Sequence, residues 1–211
     1  MMTMLALLSP IFQIPAIVPA GTTFAVMGLL TVDTLAWENR GVTLFLDLFT
    51  SAEQRERVLY HEAGHFLTAY FLGIPIQSYS LTAWETFRQQ QPGTGGVQFD
   101  TTALEQAGNQ PNQLNLMLDR FCTVWCAGIA AETLHYGKAE GGGDDRAQLQ
   151  SVLNDLGYPQ TQRQQKQAWA TQQAKSLLER NQNAYHALVE LMRERATVEQ
   201  CEQAIQANTD P

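Results

Sequence analysis

Five consecutive residues carry the clearest chemical signal: His61-Glu62-Ala63-Gly64-His65 has the spacing H-E-x-x-H. On an α-helix, His61 and His65 lie about 40° apart around the axis and about 6 Å apart along it. Both imidazoles can therefore grip one ion. Glu62 sits about 100° round from His61, within reach of a water on that ion without being a ligand. Two neutral ring nitrogens on Zn²⁺, a bound water whose pKa falls to about 7, and a carboxylate to take its proton are what a zinc peptidase needs. The plainer alternative is a surface helix that happens to carry two histidines and an acid. Val58, Leu59, Phe66 and Leu67 argue against it by flanking the motif with apolar side chains, and half of the chain's 4 histidines fall in the motif.

A catalytic zinc normally takes three protein ligands and leaves one position open. The extended metzincin motif would need Gly and His where the chain has Thr68 and Phe71, so that subclass is excluded. The third ligand must come from farther along, from Glu132, His135, Asp144 or Asp145. Glu132 lies in an apolar, helix-like stretch, where an acid is costly unless paired. It either binds the metal or orients a histidine from behind, and the supporting role is expected. Asp145, near a helix start after a glycine-rich loop, can be aimed at the metal, and a hard carboxylate would complete a two-histidine, one-aspartate site. His135 and His186 are expected on helix surfaces. Cys122 and Cys126 are spaced to share a face, but free cysteine is among the most buried residue types, so burial as small hydrophobes is the expected account.

The elements that must position these residues can be read from periodicity and punctuation. Thr50-x-x-Glu53 and Ser51-x-x-Gln54 both fit a capping box, opening a helix that runs through the motif and ends near Gly73, with Pro75 beyond. Ile76 to Leu81 reads as a strand, a polar loop follows through Gln89–Gly93, and Gly96–Phe99 returns as a second short strand. Pro111 opens a long helix that closes at Gly137. After the loop 138–143 another helix begins around Asp144-Asp145, Gly157-Tyr158-Pro159 breaks the chain, and glutamine-rich helices follow. Their apolar period persists through Trp169, Leu177, Leu178, Tyr185, Leu188 and Met192, which marks solvated helix faces rather than low complexity. The expected fold class is α+β and mainly helical.

Composition narrows the function classes. The 211 residues are 45% apolar and only 16% charged, with 13 Lys and Arg against 21 Asp and Glu. A net charge of -8 argues against nucleic acid as a partner, since such binders present a basic face. Three cysteines are too few and too odd in number for a disulfide framework, which points to a reducing compartment. No charge occurs before Asp33. A signal peptide is disfavoured because no Lys or Arg precedes the apolar run. Pro10, Pro15 and Pro19 interrupt its early part, leaving Thr22 to Trp37 as a helix with Thr22 as N-cap and Gly41 as stop. That is slightly short for a clean crossing, so attachment to a membrane and packing on a soluble domain are both open on these residues.

Further motifs join these in an order that resembles the peptidase domain of the FtsH-type membrane-bound AAA+ zinc metalloproteases, from about Ser51 to the helices past Met192. Tyr60 to Phe66 resembles that family's zinc helix. Gly73-Ile74-Pro75-Ile76 and the strand after it resemble its loop and edge strand. Ala127-Gly128-Ile129-Ala130-Ala131-Glu132 resembles its second helix, whose acid supports the site. Gly143-Asp144-Asp145-Arg146 resembles a Gly-x-x-Asn-Asp-Leu segment whose last acid is the third zinc ligand.

The resemblance implies a zincin-like domain over residues 51–211, with a small β-hairpin and a C-terminal helical bundle, after an apolar, membrane-associated segment over residues 1–50. It implies Zn²⁺ on His61, His65 and Asp145, with Glu62 as general base. Glu132 would stand behind the ligands as support or substitute, as would Asp144, which stands where the family has Asn. Ile76, Gln77, Ser78, Tyr79, Ser80 and Leu81 would form the edge strand that holds an extended polypeptide substrate. No G-x-x-x-x-G-K-[ST] phosphate loop occurs, so the chain resembles the stand-alone, motorless relatives of that domain found in photosynthetic organisms. A separate ATPase or membrane protease complex, and further copies of the chain, are then the expected partners. The expected location is a membrane surface facing the cytoplasm or plastid stroma, with a soluble cytoplasmic protein as the alternative. A catalytically silent scaffold of membrane proteases is the rival function.

Overall fold

A computed structural model describes residues 17–36, 50–89, 96–107 and 111–209. The elements follow in the order α1 (Ile17–Ala36), α2 (Ala52–Leu72), β1 (Ile76–Ser80), α3 (Ala83–Arg88), β2 (Gly96–Phe99), α4 (Thr102–Ala107), α5 (Pro111–Trp125), α6 (Ala127–Tyr136), α7 (Gly143–Asp155), α8 (Gln160–Arg180), α9 (Gln182–Arg193) and α10 (Val198–Ala207). The described residues are thus mainly helical, with a small two-stranded antiparallel sheet. The chain divides into two compact units, residues 1–50 with 83–94 and residues 51–82 with 95–211.

In the first unit, α1 begins five residues earlier than the expected Thr22 start. Position 19, a proline, falls in the first turn, where backbone N–H groups have no intrahelical acceptor and proline is tolerated. Thr22 does not cap. Its hydroxyl donates to Val18 O at 3.0 Å, as Thr31 donates to Met27 O at 2.8 Å. Phe24 and Met27 are exposed. The expected stop at Gly41 and the apolar stretch Val42 to Phe49 lie outside the described residues. In α3, which replaces part of an expected loop, the rings of Trp84 and Phe87 stack at 6.0 Å.

The second unit is organised around α2. Ser51 is the cap that the chain uses: its hydroxyl accepts from Gln54 N at 3.1 Å, and the Gln54 side chain accepts from Ser51 N at 3.1 Å. The helix ends where Gly73 takes a left-handed φ of 66° that costs glycine nothing. β1 and β2 pair antiparallel, with Tyr79 opposite Val97 and Ser80 opposite Gly96, and the register slips between Ile76 and Ser78. β1 ends one residue short of the expected Leu81.

The expected single helix from Pro111 to Gly137 is two helices meeting at Cys126. Its apolar pattern runs on without a break, so nothing local marks the junction. Helix α4 is also additional to the expected elements. Asp100 starts it, with its carboxylate accepting from Thr102 N at 2.9 Å.

Helix α6 lies against α2 at an unusually close crossing of small residues. A Cβ at Gly64 would stand 2.6 Å from Ala131 Cβ and 2.8 Å from Ala127 O. The main core then gathers Phe66 and Leu67 with Leu178, Leu188, Met192 and Ile205 from the C-terminal helices. Cys122 and Cys126 sit with Leu118, Leu149 and Leu153 in a second cluster, as small buried hydrophobes. The residues from Asn112 to Tyr136 are long and apolar enough to cross a membrane, but most of their most apolar part is buried within the protein, which fits the core of a soluble protein equally well.

Candidate metal centre

Helix α2 delivers His61 and His65 one turn apart on its buried face, and α7 brings in Asp145 from its first turn. His61 Nε2 lies 3.0 Å from Asp145 Oδ2 and 3.1 Å from His65 Nε2, and His65 Nε2 lies 3.4 Å from Asp145 Oδ1. One ligand atom from each of the three lies within 4.8 Å of the others, so this group could hold a metal ion. Asp144, the neighbour that spacing alone left as a rival, is exposed and outside the group. His135 is exposed and stacks on Tyr60 at 3.8 Å, away from the cluster, and His186 is exposed.

The other ring nitrogen of each histidine is also engaged. His61 Nδ1 is 2.6 Å from Glu132 Oε1, and His65 Nδ1 is 2.7 Å from Val124 O. On a metal-binding histidine, partners of this kind fix the tautomer and leave Nε2 free for an ion. Glu132 is 2% exposed and stands behind His61 rather than within the ligand group. Its carboxylate also accepts from Glu140 N at 2.9 Å and Gly141 N at 3.2 Å, which ties the loop leading to Asp145 to the back of the first histidine.

Two glycines make this packing possible. A Cβ at Gly128 would lie 2.2 Å from His61 Nε2, and one at Gly141 would lie 2.6 Å from Glu132 Oε1. The cavity that the imidazole fills is therefore shaped by an absent side chain on α6. Spacing arguments had no access to Gly128, although the run of small residues Ala127 to Ala131 is the trace that such a crossing leaves.

Charge is balanced within the cluster. Burial alone would lower the pKa of His61, but hydrogen bonds to Asp145 and Glu132 dominate and raise it to about 10. Burial would raise Glu132, but its bonds from His61 and from the amides of residues 140 and 141 hold it down to about 2. Asp145 is likewise kept well below the ordinary carboxylate range, against the effect of burial, by the two histidines. Burial pushes the Cys122 thiol up to about 12, which suits an inert core residue and not a metal ligand.

Glu62 is engaged by the hairpin. It is outside the three-residue group, and its Oε2 accepts from Val97 N at 3.0 Å. The backbone amide that touches the motif helix at this carboxylate therefore belongs to β2. In β1, Tyr79 and Leu81 beyond its end pack into the core, and Tyr79 OH donates to Ala196 O at 2.6 Å. Ser80 is buried, Ile76 and Ser78 are partly so, and Gln77 is exposed.

Fold and site together define a mainly helical chain with a small antiparallel hairpin and a cluster of two buried histidines and a partly buried aspartate that could bind a metal ion. No protein-family model matches the chain, and no curated protein matches it.

Proposed function

We propose that the protein is a zinc-dependent metalloendopeptidase resembling the FtsH protease domain. The observation that carries this reading is the position of Glu62: it follows His61 on the same helix, its carboxylate is near enough to act electrostatically on that imidazole, and it is not a member of the metal-capable group. The donor set suits zinc. Two imidazole nitrogens and one carboxylate converge, the outward nitrogens are already satisfied, and Gly128 leaves the room that His61 needs. Bound there, zinc would supply Lewis acidity to a water and to the substrate carbonyl. Glu62, outside the ligand group, would be the proton carrier: its carboxylate would accept a proton from the attacking water and return it to the leaving amide nitrogen. Glu132 and the Val124 carbonyl hold the two imidazoles in place through their Nδ1 atoms.

The substrate is an unfolded, short or delivered polypeptide, laid extended beside the hairpin and paired through main-chain groups. The proximity of Val97 N to Glu62 favours the β2 side of the hairpin for this over the β1 residues. A separate ATPase or membrane protease complex would deliver folded substrates. Residues 1–50 would attach the domain to a membrane: the 20 residues of α1 reach about 30 Å at 1.5 Å per residue, the thickness of a hydrocarbon core. The catalytic part would then face a reducing compartment.

The test is cleavage of an unfolded protein by the zinc-loaded full chain against its Glu62→Gln variant. Loss of the base should slow cleavage about 100- to 10,000-fold with zinc content unchanged. Bound zinc with no Glu62-dependent cleavage would overturn the protease reading and leave the scaffold.

A further inference from the structure

Arg57 stands one helical turn before His61 on α2, with its side chain 13% exposed. Its guanidinium lies 4.2 Å over the ring of Tyr136 at the end of α6. Three carboxylates surround it: Glu132 Oε2 at 3.8 Å from Nη1, Glu140 Oε2 at 3.7 Å from Nε, and Glu53 Oε1 at 3.7 Å from Nη2. Glu53 is largely exposed and Glu140 half exposed, so those pairings are screened by solvent. The pairing with Glu132 is different, because that side chain is 3% exposed and is the one that holds His61. Nη1 is itself buried and makes no hydrogen bond, and the carboxylate that it faces is that of Glu132.

We infer that Arg57 is a positioning residue for the metal centre, acting through Glu132. The inference rests on the proposed metal site. Glu132 has two oxygens with separate tasks: Oε1 meets His61 Nδ1, while Oε2 meets Glu140 N and faces Arg57. A cation on the Oε2 side fixes the rotation of the carboxylate and so aims Oε1 at the histidine. The same guanidinium faces Glu140, whose amide and that of Gly141 are bound by Glu132. Arg57 therefore braces both the support of His61 and the loop from which Asp145 enters. Stacking on Tyr136 and a planar fork facing two carboxylates call for arginine, since lysine offers a single point charge.

The experiment compares the full chain with Arg57→Ala and Arg57→Lys, reading zinc affinity by chelator competition, the visible spectrum of the Co²⁺-substituted protein, and the melting temperature without metal. Loss of a partner behind a metal ligand typically weakens metal binding about 10- to 100-fold. The alanine variant should fall at the lower end of that range with a shifted Co²⁺ spectrum, and the lysine variant should recover part of both. If alanine fails to fold, the lysine variant alone must still show weakened zinc binding and a displaced spectrum. Wild-type affinity and spectrum in whichever variant folds, even with a lower melting temperature, would make Arg57 a packing residue and overturn the inference. A wild-type chain that binds no zinc would remove the metal site itself and the positioning role with it.

Discussion

The two walls of the candidate site are built on different principles. On the α6 side, His61 is gripped between a glycine that leaves no spare volume and a carboxylate that is itself held by two backbone amides. On the hairpin side, Glu62 meets β2 through one hydrogen bond from Val97 N. A wall with several interlocked partners keeps atoms where an ion requires them, to within tenths of an ångström. A wall with a single polar contact lets a carboxylate swing between partners at the cost of one hydrogen bond, about 1 kcal/mol. The first arrangement suits groups that must hold an ion, and on the proposed function the second leaves Glu62 free to exchange Val97 N for a proton.

The sharpest way to break this contrast is Gly128→Ala. The added methyl meets His61 Nε2, and relief would require moving the imidazole or α6. Overpacking of this sort costs about 1–3 kcal/mol, and a chain of this size loses about 2–4 °C of melting temperature per kcal/mol. Metal binding should fall by more than the roughly 10- to 100-fold expected for a lost supporting partner. Unchanged metal affinity would mean that the α6 wall is looser than its packing implies.

Asp145→Asn comes next. It should weaken metal binding far more than Asp144→Asn, because only Asp145 reaches the two Nε2 atoms. Equal losses in the two variants, measured by chelator competition, would show that the ligand had been misassigned. The smallest effect belongs to the hairpin wall. Gly96 has φ of 102°, and a Cβ there would approach Glu62 Oε2 to 3.1 Å. Gly96→Ala should cost about 1–3 kcal/mol through backbone strain and slow cleavage, while zinc affinity stays at the wild-type value. A parallel loss of zinc affinity would mean that the two walls are not independent.

Much of this site is legible in the chain because a helix converts spacing into geometry. His61, Glu62 and His65 needed only the helical period, and the capping box at Ser51 and the left-handed Gly73 marked the ends of that helix. Glu132 was visible as an acid in an apolar run. What the sequence does not display are features made by contact between distant segments. The break at Cys126 has no local signal, the room that Gly128 leaves matters only because His61 arrives opposite, and Arg57 looks like one more charge on a helix until Tyr136 and Glu132 close around it. Which strand of the hairpin reaches Glu62 is likewise decided by how the sheet sits on α2 and not by either strand's alternation. The six-residue helices α3 and α4 are too short for periodicity to register.

The C-terminal helices set the order in which the site can be assembled during synthesis. Tyr185 OH donates to Tyr60 O across 125 positions of chain, and Tyr79 OH donates to Ala196 O across 117. A nascent chain that has emerged as far as Gly157 already contains both histidines, Glu62, Glu132 and Asp145. It still lacks Leu178, Leu188, Met192 and Ile205, the side chains against which Phe66 and Leu67 pack. Contacts this remote cannot form until the C-terminal helices have left the ribosome, so a nascent chain carries all the site residues before it has the core against which α2 packs. On the proposed function, an unfinished polypeptide would hold its ligands and Glu62 without the packing that aligns them until residues 178–205 have been made.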